Sequence, residues 1–389
     1  MKSGRRLLWI ISYHHACNDG TLMALVALLP IFFLQFKLTW YEVGLLGSGL
    51  LITVVVQYEV GRFADRMFSR YLLELGAALM GLSFLLMLMV NNFEGLFLAV
   101  ISMRIGGAFY HPVGTSWITR EYAGPYLETA LGIQSGVGNF GVIIALATSG
   151  FLGDLLTWRA PCILWAALNL SAVLLGTLLV KEGMIKTRVG RIAATSSRVT
   201  LGKMMFLIIP IVSGGALYQI TAYFGPTNLS ITPGWNAGSA DLIFALWIGI
   251  GTVTSYYFGA LSARIGKYRL LRTGYLVSLV AAIILSLTTD WRLIAPTLLV
   301  FGAFLFLTYP ALFSLITELT GEEERGTAFG ILFGFQLGGG AVSVYVCGFI
   351  GDHLENPGYL FLFAGALAAA SLIMITLWET HIKKLAKNC

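Results

Sequence analysis

Long uninterrupted apolar runs dominate the pattern of hydrophobic and polar positions along this chain. Each run is roughly 20 residues long, the length at which an α-helix crosses a bilayer core of ~30 Å. The runs are continuously apolar rather than alternating, which predicts helices and not a barrel. We therefore expect an all-α membrane protein with twelve transmembrane helices. The predicted spans are 8–33, 43–63, 71–90, 96–118, 127–150, 160–180, 205–228, 239–262, 270–288, 293–316, 327–350 and 359–379.

Charged residues make up only 11% of the chain, whereas a soluble domain carries about 25%. The net charge of +6 does not point to nucleic acid, because its distribution follows the predicted topology. Of the 25 Lys and Arg residues, only Lys37, Arg159 and Arg292 fall on the side opposite the predicted termini, and Arg104 falls inside a span. This asymmetry predicts cytoplasmic termini in a multi-pass protein of a bacterial or archaeal plasma membrane.

Three segments of the first half return in the second half at one offset of 198 residues (348 − 150 = 198). Tandem repeats in a very hydrophobic chain indicate a membrane transporter with its pathway between two equivalent halves. The matched segments are Gly61–Arg66 with Gly259–Arg264, Tyr110–Pro112 with Thr308–Pro310, and Gly150–Asp154 with Gly348–Asp352.

The repeat predicts a six-helix bundle over 1–181, a cytoplasmic linker over 182–204 and a second six-helix bundle over 205–389. No nucleotide-binding Gly-rich loop with its Lys is present, so transport energy would come from an ion or substrate gradient. No nucleophile, base and orienting group are spaced to work together, which disfavours an enzyme. The four scattered cysteines indicate neither a metal site nor a disulfide framework, and no cofactor is expected.

Several motifs resemble those of the major facilitator superfamily. Gly61-x-x-x-Asp65-Arg66 with Arg70 is similar to its cytoplasmic signature, and Arg104-Ile105-x-Gly107 is similar to its intramembrane arginine motif. Within the superfamily the chain resembles the fosmidomycin-resistance type of efflux carriers. The segments that carry this resemblance are Ser12-Tyr13-His14-His15-x-x-Asn18-Asp19, Leu38-Thr39 before Val43-Gly44-Leu45, Gly107-x-Phe109-Tyr110-His111-Pro112, and Gln134 through Gly138-Asn139-Phe140-Gly141.

The resemblance implies two bundles that rock about a central cavity lined by spans 1, 4, 7 and 10, with proton-coupled export of a small compound. Two positions depart from the family pattern. The Gly-Pro pair that antiporters usually carry in span 5 falls at Ala145-Leu146, and Val113 stands where close relatives often have an acid. An uptake symporter or uniporter for a small metabolite, and a non-transporting membrane sensor, therefore remain alternatives.

Ionisable side chains inside the spans point to proton coupling. Asp19 lies midway through span 1, where a carboxylate costs on the order of 2.5–3.5 kcal/mol and should face a cavity or a partner. His15 shares its helix face at i−4, and a His and Asp pair can exchange a proton. Arg104 and His111 lie two turns apart on one face of span 4. We expect Arg104 to pair with Asp19 in one state of the cycle, unless it only bonds backbone carbonyls.

Polar and aromatic side chains in the spans predict the substrate contacts of an amphiphilic or anionic compound, although such residues also serve as packing and interfacial anchors. The second half is poor in intramembrane charge, so it is expected to contribute mostly contacts. The candidate substrate-binding residues are His14, Asn18, Gln134, Asn139, Tyr218, Gln219, Tyr223, Tyr309 and Gln336.

A second candidate site lies at the predicted cytoplasmic ends of spans 2 and 3. Gly61, Asp65, Arg66 and Arg70 are expected to form a gate latch in which Asp65 pairs across to the other half; a solvated loop is the alternative. Ser262 replaces Asp65 in the second repeat, so the latch should be asymmetric. The expected partners are a small-molecule substrate, protons and lipid, with the chain working as a monomer.

Overall fold

The protein is helical throughout the part of the chain that the computed structural model describes. Described are residues 2–66, 71–122, 125–180, 202, 204–231, 234–320, 325–354 and 356–388. The predicted linker falls almost entirely outside these ranges. Fifteen α-helices are described. They are α1 Lys2–Gln35, α2 Trp40–Ser48, α3 Leu50–Arg66, α4 Tyr71–Met87, α5 Phe93–Gly107, α6 Tyr110–Glu121, α7 Pro125–Leu155, α8 Arg159–Leu179, α9 Ile208–Ile231, α10 Ala237–Tyr256, α11 Phe258–Ile265, α12 Lys267–Leu287, α13 Trp291–Leu319, α14 Arg325–Gly351 and α15 Leu360–Asn388.

These helices confirm the predicted fold class. Among the described residues, eleven helical segments are long and apolar enough to cross a membrane, and α4 is a shorter apolar helix at the place of the third predicted span. In lipid, backbone polar groups must be satisfied within the segment, which is why each apolar run forms a helix. The twelve predicted runs therefore correspond to helices of the structure.

The fourth span is interrupted beside its histidine. Helix α5 ends at Gly107 and α6 begins at Tyr110, with Ala108 and Phe109 in a turn between them. Pro112, in the first turn of α6, has no N–H to donate to the preceding turn, and its ring crowds that turn. This interruption sets His111 at the start of a new helix.

Contacts divide the chain into two compact units. The first comprises Met1–Leu38, Gly49–Arg191 and Asn236–Ala245. Inside it, α1 packs along α7 and α8, while α4 packs along α5 and α8. One end of this unit is an apolar core that includes Ile11, Val113 and Ile118, all fully buried. This core holds α1 and α6 in contact and so positions the polar residues that follow on both helices.

The second unit comprises Thr39–Ser48, Ile192–Trp235 and Leu246–Cys389. Inside it, α9 packs on α14 and α15, α12 packs on α13 and α15, and α2 packs on α14. Each unit thus contains one short segment from the other sequence repeat, 236–245 in the first and 39–48 in the second. The two segments are themselves repeat equivalents, since Gly238 and Trp40 are 198 positions apart (238 − 40 = 198).

Glycine-rich faces of α7 and α14 allow close helix packing at some positions only. A Cβ on Gly141 would overlap the backbone of Ala16, and the α9 glycine Gly215 meets the backbone of Gln336. Gly132 and Gly136 instead have nothing within 4 Å of a would-be Cβ. Close backbone approach stabilises helix pairs in lipid, so Gly141 and Gly215 are packing residues while Gly132 and Gly136 lie on an open face.

Candidate functional site

The candidate site is built first on one face of α1. His15 and Asp19 are one helical turn apart, and their side chains meet with His15 Nε2 3.0 Å from Asp19 Oδ2. His15 is almost fully buried, whereas Asp19 keeps 21% of its side chain exposed. Asn18 donates from Nδ2 to Asp19 Oδ1 at 2.8 Å. The carboxylate is therefore fixed between two neighbours of its own helix.

His111 joins this pair from the start of α6. Its Nε2 lies 3.5 Å from Asp19 Oδ1, and its ring meets the His15 ring edge-to-face with centroids 5.3 Å apart. The interruption before α6 sets His111 in this position. The structure thus brings together His15, Asp19 and His111, three of the four residues predicted for proton coupling.

Helix α7 and Tyr110 hold the His15 ring in one orientation. His15 Nδ1 is 2.8 Å from the backbone oxygen of Gln134, and the ring stacks on Tyr110 with centroids 4.3 Å apart and planes at 16°. Tyr110 in turn donates its hydroxyl to Gln134 Oε1 at 2.7 Å. Gly138 faces the ring, and a Cβ there would come within 2.7 Å of three of its atoms. The His15 ring can therefore occupy this position only because residue 138 has no side chain.

The contacts of His15 determine where its proton lies. A backbone carbonyl can only accept a hydrogen bond, so Nδ1 carries hydrogen in this arrangement. In neutral imidazole the other nitrogen, Nε2, would then be an acceptor, yet it faces a carboxylate oxygen at 3.0 Å. Two acceptors at that distance repel unless a hydrogen lies between them. The contact of His15 with Asp19 is therefore favourable when the pair carries an added proton and unfavourable when the carboxylate is ionised and the imidazole is neutral.

Exposure rises across the three residues in order. The side chain of His15 is 8% exposed, that of Asp19 21%, and that of His111 43%. A proton arriving from solvent would meet His111 and Asp19 before His15. The three side chains therefore form one continuous polar cluster that extends from the buried ring of His15 to the partly exposed ring of His111.

The same three side chains also have the composition of a metal site. Their ligand atoms lie within 4.8 Å of one another, and two histidines with one carboxylate suit divalent transition metals. However, Asp19 Oδ1 is already shared by Asn18 and His111. Transport assays with added metal ions distinguish proton binding from cation binding at these three side chains.

Arg104 is buried near the end of α5, and Thr53 donates its hydroxyl to the Arg104 backbone oxygen at 3.1 Å. The ion pairs recorded for Asp19 among the described residues are with His15 and His111. The pairing of Arg104 with Asp19 stays a prediction about another state of the cycle.

His14 and Asn18 lie in the packed interior of the first unit. His14 is 3% exposed, and its Nε2 lies with Glu74 Oε1 around Gly176 of α8, both within 3.2 Å of a would-be Cβ there. Asn18 and His14 also line a small void with Asn169. Substrate binding by His14 and Asn18 stays a prediction.

The remaining candidates of the first half lie on α7. Gln134 is buried and serves the His15 ring as described above, whereas Asn139 is exposed. Asn139 follows Ser135 and Gly136 on the face of α7 that is open in the first unit. Gln134 thus orients the His15 ring, and substrate binding by Asn139 stays a prediction.

The second unit carries an aromatic cluster. Tyr218 stacks on Trp247 with centroids 5.4 Å apart, and Phe306 meets both rings. Phe306 also contacts the Tyr309 ring, and the Tyr309 hydroxyl donates to Gly214 O at 3.2 Å. Of the other candidates, Gln219 and Tyr223 are buried and Gln336 is half-buried. Substrate binding by these residues of the second half stays a prediction.

The predicted gate latch is described only in part. Gly61 lies on α3, where a Cβ would contact Pro112 Cβ at 3.6 Å. Asp65 and Arg66 are the last residues of α3, but their side chains and all of Arg70 lie outside the described residues. Pairing by the latch remains a prediction.

Sequence reasoning missed one buried acid, Asp241. It lies in the first turns of α10, it is 0% exposed, and neither carboxylate oxygen has a hydrogen-bond partner within the described residues. A single Asp in an otherwise apolar span was the available signal, and the second half was instead interpreted as poor in intramembrane charge.

Comparison with known proteins agrees with the architecture. The family profile described as Major Facilitator Superfamily matches residues 11–344 and, in a second match, 218–388. An uncharacterised MFS-type transporter, YfnC of Bacillus subtilis (strain 168), is 27% identical over 366 residues, covering 89% of this chain and 86% of the relative.

Solved structures show the same fold. The crystal structure of the nucleoside transporter NupG has a TM-score of 0.81 at 17% identity, covering 98% of this chain and 100% of that chain. A bacterial homologue of the human lysosomal transporter Spinster, inward-facing and unoccupied, has a TM-score of 0.79 at 15% identity and covers 96% and 95% of the two chains. At these identities the likeness concerns the fold alone.

Proposed function

Because this chain belongs to the Major Facilitator Superfamily, we propose that it is a proton-coupled secondary transporter that exports a small amphiphilic or anionic compound by alternating access. It is a multi-pass membrane protein of the transporter class. Its resemblance to fosmidomycin-resistance efflux carriers supports export. Two repeats that rock against each other would expose the binding groups to the two sides of the membrane in turn.

The observation that carries the proposal is the close contact of His15 with Asp19. His15 Nδ1 faces the Gln134 carbonyl while Nε2 faces Asp19 at 3.0 Å, a contact that is attractive when the imidazole carries a proton on both nitrogens. Loss of that proton removes the attraction and leaves an acceptor against a carboxylate. Proton binding and the positions of α1 and α7 are therefore linked, as a coupled carrier requires.

Substrate contacts follow from the other groups. The aromatic cluster of Tyr218, Trp247 and Phe306 offers ring faces to an apolar or aromatic portion of the substrate. A protonated His111 or Arg104 would attract an anionic portion. Movement of protons and substrate in opposite directions further requires that the two exclude each other at this site, so that substrate binding displaces the proton from His15 and Asp19.

Transport into inside-out vesicles with a pH-sensitive dye tests the proposal. Wild-type vesicles should show compound-dependent proton movement when candidate amphiphilic and anionic compounds are screened. Asp19→Asn should abolish pH-driven movement while substrate exchange continues, because the amide cannot take up the proton. Asp290→Asn is the matched control, since Asp290 is an exposed helix cap outside the cluster and Asn also caps helices.

The outcomes separate the alternatives. Normal pH-driven transport by Asp19→Asn would remove Asp19 from the mechanism and leave His14, His15 or His111. Transport that requires added Zn²⁺ or Mn²⁺ and is insensitive to pH would identify the cluster as a metal site. Proton movement parallel to the substrate would identify symport.

Uptake symport is the second candidate, and the sequence of α7 favours it. Ala145 and Leu146 stand at the position of the antiporter Gly-Pro pair, and both are buried within one continuous helix. The dye response in vesicles of known orientation distinguishes the two directions.

A further inference from the structure

We propose that Asp241 is a second proton-binding site, which must be protonated for the first turns of α10 to pack against α7, and that it makes this contact responsive to pH. The proposal concerns a contact separate from the His15 and Asp19 site. In this proposal Asp241 makes the packing of α10 against α7 depend on pH, and it is not the site that couples proton transport to substrate transport.

The end of α7 caps the start of α10. Asp154 Oδ2 accepts a hydrogen bond from the backbone N–H of Gly238 at 2.8 Å, and Asn236 Oδ1 accepts one from Ser239 at 2.8 Å. The first N–H groups of a helix have no partner within the helix, and they favour a negative charge nearby. Asp154 is therefore placed where its carboxylate oxygen satisfies one of these N–H groups.

Asp241 lies one turn further into α10 and faces α7 at Gly150. A Cβ on Gly150 would overlap Asp241 Oδ2 and come within 2.9 Å of the Ala237 carbonyl. Asp241 is 0% exposed, and neither of its oxygens has a hydrogen-bond partner within the described residues. A buried carboxylate without a partner is strongly disfavoured, whereas the neutral acid costs much less.

The charged groups around Asp241 make its ionisation less favourable still. Asp154 on α7 is the titratable group that acts on it electrostatically. Asp241 is the only charged residue of α10, and no basic side chain within the described ranges forms an ion pair with either acid. Burial without a hydrogen-bond partner therefore favours the neutral acid at Asp241.

The repeat supplies an internal comparison. In the second unit, Asp352 accepts hydrogen bonds from the backbone N–H groups of Trp40 and Tyr41 at 2.7 and 3.2 Å, which is the equivalent cap. The residue equivalent to Asp241 is Val43 (241 − 198 = 43), and Val43 is fully buried. Both contacts have an aspartate that caps the helix start, but only the contact in the first unit also has a buried acid one turn further along.

Rocking of one repeat against the other would separate α7 from α10, because these helices belong to different sequence repeats. Water would then reach Asp241, whose ordinary pKa is near 3.9, and the acid would ionise. Because the packed state binds a proton that the separated state releases, lower pH favours the packed state and higher pH favours separation. For one proton the ratio of separated to packed forms should rise by up to ~10-fold per pH unit.

Distance measurements between spin labels test this proposal on the full chain. Labels on Leu155→Cys and Ser239→Cys occupy exposed positions at the ends of α7 and α10, in a chain whose native cysteines are replaced. The wild-type background should move from short to long distances as pH rises. Asp241→Val introduces the residue found at this position in the other repeat. Both Asp241→Val and Asp241→Asn should keep the short distance as pH rises. The number of protons released on separation, given by the slope of the population ratio against pH, should fall by about one.

An unchanged slope in both variants would overturn the proposal, because the response would then arise elsewhere, for instance at the His15 and Asp19 site. Infrared spectroscopy gives an independent readout. Wild type at neutral pH should show the carbonyl band of a protonated buried carboxylic acid, and Asp241→Asn should lack that band. A spectrum identical in wild type and Asp241→Asn would equally contradict protonation of Asp241.

Discussion

At the residue scale, the central feature is a histidine whose two nitrogens face two different acceptors. The backbone of Gln134 engages Nδ1 and the carboxylate of Asp19 engages Nε2. Tyr110 stacks on the ring, and Gly138 leaves room for it. The arrangement works because α1, α6 and α7 each supply one contact, so His15 has little freedom to rotate.

Gly138→Ala should disturb this site, because the added methyl group would meet the His15 ring. We expect a loss of about 1–3 kcal/mol in the free energy of unfolding from overpacking, together with reduced proton-driven transport. Gly136→Ala is the matched control, with nothing within 4 Å of the added Cβ. It should keep transport and stabilise the helix by roughly 0.5–1 kcal/mol. Equal transport by the two variants would contradict the role of Gly138.

At the element scale, two helices begin with the same kind of cap, an aspartate from the end of a neighbouring helix. The carboxylate that follows α14 caps α2, and the carboxylate near the end of α7 caps α10. Helix α2 also has a capping box of its own, since Thr39 N–H donates to Glu42 Oε2 at 2.8 Å and Glu42 N–H donates to Thr39 Oγ1 at 3.2 Å. Small residues such as Gly44 and Gly348 then let α2 and α14 approach closely.

Asp352→Ala should weaken the packing of α2 on α14, because Trp40 and Tyr41 lose the acceptor of their N–H groups. The expected cost is about 0.5–2 kcal/mol of stability, seen as a lower midpoint in thermal unfolding of the detergent-solubilised protein. Asp352→Asn keeps a capping oxygen and should retain most of the stability. If the Asn variant lost as much as the Ala variant, the charge of Asp352 rather than its hydrogen bonds would account for the effect.

At the scale of the whole molecule, two sequence repeats have come to serve different purposes. The first carries the titratable site of His15, Asp19 and His111, and the second carries the aromatic cluster around Trp247. The ion pairs of the two repeats differ as well. Lys267 pairs with Glu318, and Arg272 pairs with Glu379 at 2.9 Å, whereas the predicted latch of the first repeat depends on Asp65.

The predicted topology can be tested by impermeant thiol labelling of intact cells. Asn91→Cys precedes α5 on the predicted extracellular side, and Lys186→Cys lies in the predicted cytoplasmic linker. Only Asn91→Cys should react from outside, because the excess of Lys and Arg keeps the linker inside. Asn91 is exposed and adjacent to the α5 cap, Asn92, which is left intact. Reaction of both cysteines from outside would contradict cytoplasmic termini.

Local spacing along the chain was enough to predict the helices, the repeat and the pairing of His15 with Asp19. Apolar runs of membrane-spanning length have one stable secondary structure, and residues four apart on a helix meet wherever that helix packs. The motifs of the first half likewise indicated the superfamily before any contact was known.

Contacts between distant positions were decided only by the tertiary structure. Gln134 is 119 positions from His15, so its carbonyl could not be assigned to the histidine from the sequence. His14 and His15 are neighbours in the chain, yet His14 lies beside Gly176 of α8 and His15 contacts Asp19, because helix packing directs adjacent side chains toward different neighbours. Asp241 is an ordinary carboxylate in the sequence, and only the tertiary structure buries it without a hydrogen-bond partner against Gly150.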